Sequence, residues 1–70
     1  MEISNGFNRF FVERLEKTEL YDDADEIESV VTLAVDNMEY DMGNGDSLWV
    51  AFGKACRDLY IESDGIESFI

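Results

Sequence analysis

Seventy residues carry 17 Asp or Glu against five Lys or Arg, with no His and one Cys, for a formal charge of −12. That balance excludes direct binding to DNA, RNA or an anionic membrane, because each phosphate contact requires a cation the chain lacks. A lone cysteine excludes an internal disulfide and fits a reducing cytoplasm, and without histidine the commonest general base and zinc ligand are missing.

A hydrophobic fraction of 46% suffices for one modest core. The chain therefore reads as a single acidic domain over 1–70, near the lower size limit for folding without a staple. Met1-Glu2-Ile3-Ser4 lacks the basic and apolar regions of a signal peptide. No apolar run approaches the length of a membrane span.

Phe7, Phe10, Phe11 and Leu15 recur at helical spacing and predict a first helix over about 6–17, capped by Ser4 or Asn5. Its outer face would carry Arg9, Glu13, Arg14, Glu16 and Lys17, a charge-compensated surface. A second helix is marked by Ile27, Val30, Val31, Ala34, Val35 and Met38, one continuous apolar stripe. Asp23 followed by Glu26 resembles a capping box, and Asp22, Asp23, Asp25 and Glu26 suit the positive end of the helix dipole.

Met42-Gly43-Asn44-Gly45 predicts a stop, since Gly and Asn tolerate positive φ. Asp46 or Ser47 then caps a third helix with Leu48, Phe52, Ala55, Cys56 and Leu59 on one face. Gly53 inside it suggests close helix packing, and Asp64-Gly65 is the expected break. Ile66, Phe69 and Ile70 form a last apolar turn suited to docking on the core. The expected fold is all-α, a compact three-helix domain with a short C-terminal turn. Alternation at Met38-Glu39-Tyr40-Asp41-Met42 leaves an α+β alternative, with a hairpin around 38–52.

Chemistry finds little support in the residues. Cys56 falls on an apolar face, where it reads as a small buried hydrophobe. Paired carboxylates do catalytic work only when held across a cleft, for which a domain this small has little room. The chain is thus not expected to be an enzyme, and no cofactor is implied. Calcium loops starting at Asp41 or Asp23 lack ligands or the required glycine at the standard positions, so no metal site is expected. Gly45-Asp46-Ser47-Leu48 resembles the Asp-Ser-Leu motif of acyl carrier proteins, which implies phosphopantetheine on Ser47; a plain helix N-cap fits the same residues.

The most distinctive feature is electrostatic. Between Thr18 and Gly53 stand ten carboxylates and no Lys or Arg. Like charges repel and destabilise a compact state, and a merely solvated face normally mixes signs. Acids one helical turn apart imitate part of a phosphate row: Glu19, Asp22 or Asp23, and Glu26 form one series. Asp25, Glu28, Asp36 and Glu39 form another, with Ser29 and Thr32 between.

Tyr21-Asp22-Asp23, leading into an acidic helix that ends Ala34-Val35-Asp36-Asn37, resembles the small acidic proteins that phages and mobile elements use against host defence. These are the anti-CRISPR proteins and anti-restriction DNA mimics. The resemblance implies a protein of the host bacterial cytoplasm that occupies the basic nucleic-acid-binding surface of a CRISPR-Cas effector or a restriction enzyme. The partner-binding residues would be Asp22, Asp23, Asp25, Glu26, Glu28, Asp36, Glu39 and Asp41, with Tyr21, Tyr40 and Trp49 as candidate anchors. Trp49 lies off the main stripe of the third helix, so exposure and the edge of the core both fit it.

Overall fold

A computed structural model describes residues 5–70, so the proposed Ser4 cap lies outside the described residues. Three helices follow one another: α1 over Asn5–Thr18, α2 over Ala24–Gly43 and α3 over Leu48–Asp58. A 3-10 turn at Ile66–Ser68 closes the chain. No strand occurs among the described residues, so the fold is all-α and the hairpin alternative is excluded. Met38 to Met42 continue α2 because Met38 belongs to its apolar stripe and is fully buried.

Phenylalanine dominates the core. Phe7, Phe10, Phe11 and Leu15 of α1 are buried together with Ile27, Val31, Ala34 and Met38 of α2 and Ala51, Phe52, Ala55 and Cys56 of α3. Phe52 is the hub, with Phe7, Phe10 and Phe11 ring centroids at 5.1, 5.5 and 5.6 Å. Such offset and edge-on contacts each add about 0.5–1.5 kcal/mol beyond area burial. The C-terminal turn docks as expected through buried Ile66 and through Phe69, whose ring meets Phe10 edge-on at 5.5 Å. Ile70 does not join the core; it is exposed.

Three local expectations need correction. Arg14 is not on the outer face of α1: its guanidinium lies 5.0 Å from the Phe10 ring centroid and donates to the Asp64 carbonyl, tying α1 to the C-terminal segment. Gly53 does not serve close packing, since a Cβ added there meets no heavy atom within 4 Å. Gly6 does, because a Cβ there would collide with the Phe69 carbonyl oxygen.

The third correction concerns the end of α3, which stops at Asp58, well before Asp64-Gly65. Ile61 N–H donates to the Cys56 carbonyl and Tyr60 N–H to the Arg57 carbonyl, which is a Schellman motif. Tyr60 takes its left-handed position at φ 58°. The same pair of bonds ends α2, from Asp46 N–H to Asp41 and from Gly45 N–H to Met42, with Gly45 at φ 108°. There the stop falls where the Gly-Asn-Gly run predicts it.

Candidate partner-binding face

α2 is 20 residues long, about 30 Å at 1.5 Å per residue. It bears Asp25, Glu26, Glu28, Asp36, Glu39 and Asp41 and no cation. Asp23 is its N-cap, with the carboxylate Oδ1 accepting the Asp25 N–H at 2.9 Å. This bond goes to the second helical residue; a capping box would use Glu26, the third. Asp25 and Glu26 in the first turn interact favourably with the dipole. Asp41 stands in the last turn, where the dipole opposes it and no basic residue of α2 offsets it.

Burying Ile27, Val31, Ala34 and Met38 turns the opposite side of α2 outward. Asp25, Glu28, Ser29, Thr32, Leu33 and Asp36 line one shallow surface depression there, all of them exposed. Glu39 and Tyr40 are also exposed, one turn beyond Asp36. Leu33, 61% exposed, is an apolar side chain in this acidic surface. Sequence reasoning passed over it, although its position off the Ile27–Met38 stripe was the available signal.

The remaining predicted residues are dispersed. Asp22 and Asp23 are exposed in the connection before α2, whereas Tyr21 is half-buried against the core. Asp41 is half-buried, and its charge helps to hold the Lys54 ammonium protonated. The main cause of that raised Lys54 pKa is the hydrogen bond from Lys54 to Asp46, at 2.6 Å, followed by the Asp46 charge. Trp49 does not join the α2 depression. It sits at the edge of the core, tilted against Phe7 and edge-on to Phe52, 54% exposed, and lines a separate groove on α3. Both readings of this residue hold in part.

Ser47 is exposed at the start of α3, where its hydroxyl oxygen accepts the Val50 N–H at 3.2 Å. This is the bond the N-cap reading requires. Cys56 is buried, and desolvation pushes its thiol up to about 11 despite the opposing charge of Arg14. A thiol held protonated in this way is a poor nucleophile. Among the described residues, no three His, Cys, Asp or Glu side chains are grouped so as to hold a metal ion. Nor is any helix among them long and apolar enough to cross a membrane.

Compared with known proteins, the chain matches no family model, no curated protein and no solved structure.

Proposed function

We propose that this protein is an anti-CRISPR-type inhibitor that binds a CRISPR-Cas effector complex and blocks target DNA by presenting α2 in place of phosphates. The observation that carries this reading is a 30 Å helix whose outer face holds carboxylates uncompensated by any cation of its own. Packing does not require those charges, since none of the α2 carboxylates is among its buried residues. A basic groove would neutralise the repulsion and gain long-range attraction during encounter.

Charge alone does not complete the mimicry. Six carboxylates along α2 amount to about one per 5 Å of helix axis, thinner than the one phosphate per roughly 3.4 Å of axis on one DNA strand. Exposed Leu33 and Tyr40 supply contacts that a phosphate row does not have, and these would set specificity. Inhibition of a restriction enzyme through the same face is the neighbouring reading.

The test adds purified protein to a panel of CRISPR effector complexes and restriction enzymes and measures target-DNA binding at increasing salt. One member should lose DNA binding, with inhibition weakening as salt rises. The double variant Asp36→Lys, Glu39→Lys should lose inhibition while keeping its helical circular dichroism. Retained inhibition by that variant would remove the electrostatic basis, and inactivity of the wild type across the panel would remove the function.

A further inference from the structure

A second surface lies apart from the acidic face. Trp49, Phe52 and Gly53 of α3 oppose Ile66 and Ile70 of the C-terminal segment across a groove of about 500 Å³. That volume is comparable to those of small-ligand sites, although the groove is open to solvent along its length. Trp49 and Ile70 are 54% and 57% exposed, so the walls present apolar surface to solvent. Gly53 leaves the groove open between them, because no atom stands within 4 Å of where its Cβ would be.

The remaining lining carries charge of one sign. Asp64 and Glu67, both exposed, stand in the groove, and no Lys or Arg lines it among the described residues. A second copy of this chain is disfavoured as occupant, since each copy carries −12. An acidic ligand is disfavoured by the same two carboxylates. The complementary occupant has a large apolar side chain for the groove and cations beside it for Asp64 and Glu67.

We propose that the Trp49–Ile70 groove docks a basic peptide segment of a protein partner, one large apolar residue flanked by Lys or Arg. This makes the molecule bivalent: α2 offers charge, and α3 with the C-terminal segment offers an apolar anchor. The inference does not rest on the role proposed for α2.

The test titrates isotopically labelled protein with three synthetic peptides, followed by NMR. One holds a single leucine between triplets of lysine, a second replaces the leucine with glycine, and a third replaces the lysines with glutamate. The leucine–lysine peptide should shift the Gly53 and Ile66 amides and the Trp49 indole. It should bind about tenfold more tightly than the glycine peptide, as burial of one leucine implies.

Gly53→Leu fills the groove and improves helix propensity, so the variant should fold and should lose that tenfold preference. The Asp36→Lys, Glu39→Lys variant should retain it, which separates this inference from the function of α2. Equal binding of the leucine and glycine peptides would overturn the proposal. So would a preference that survives Gly53→Leu, equal binding of the glutamate peptide, or peptide-free self-association that shifts the same signals.

Discussion

α2 and α3 pack against each other and bury the same kind of side chain, yet they expose opposite characters. α2 turns outward Asp25, Glu28, Asp36 and Glu39 with no cation, whereas α3 carries Lys54 and Arg57 against one acid, Asp58, and exposes Trp49 and Val50. Folding is governed by the inward faces, where each helix contributes four buried residues to one core. The outward faces are free of that constraint. A charge distribution that costs stability, as on α2, therefore needs a reason outside the fold, and an exposed tryptophan on α3 raises the same question.

The contrast between inward and outward positions predicts the largest stability difference. Met38→Ala removes a fully buried side chain of α2 and should cost about 2–5 kcal/mol in urea unfolding. Leu33→Ala, five residues earlier on the exposed side, should fall within about 0.5 kcal/mol of wild type. Equal costs would mean that the outer face of α2 takes part in packing.

A titratable group separates the two inward faces next. Cys56 of α3 is buried, and burial raises its thiol to about 11 from an ordinary 9.0, whereas the buried residues of α2 include no titratable group. The native state then keeps its proton longer than the unfolded chain does. The contribution of Cys56 is complete below pH 9 and is lost as pH rises through about 11. Stability should fall by on the order of 2 kcal/mol across that window beyond the fall seen for Cys56→Ala. Parallel pH profiles for the two proteins would show that the thiol is not held protonated.

The two helix ends offer the finest comparison, because one hydrogen-bonding motif is built once on glycine and once on tyrosine. Gly45→Ala forces a side chain into positive φ and should destabilise by about 1 kcal/mol. Tyr60→Gly relieves the same strain at a residue that is 89% exposed, and should stabilise by about 0.5–1 kcal/mol. Loss of stability in Tyr60→Gly would mean that the tyrosine side chain contributes to the end of α3 more than its exposure implies. Thermal unfolding monitored by circular dichroism resolves changes of this size.

Much of this architecture is legible in the linear chain because it depends on neighbours three to six residues apart. The Ile27 to Met38 stripe, the Asp23 and Ser47 caps and the Gly43-Asn44-Gly45 stop are all local patterns, and each appears where those patterns predict it. The single charge sign of α2 is likewise a property of sequence alone.

What only the tertiary structure decided depends on contacts between residues far apart in the chain. Arg14 leaves the polar face of α1 because Asp64, fifty positions away, presents a carbonyl to it. Gly6 is the close-packed glycine because Phe69 crosses it, whereas Gly53 faces open space. Trp49 lines a groove with Ile66 and Ile70, separate from the α2 depression, and Asp41 is half-buried where its charge is felt by Lys54 of α3. Periodicity determines which residues share a side of one helix; only the docking of helices and the C-terminal turn determines which of those sides meet.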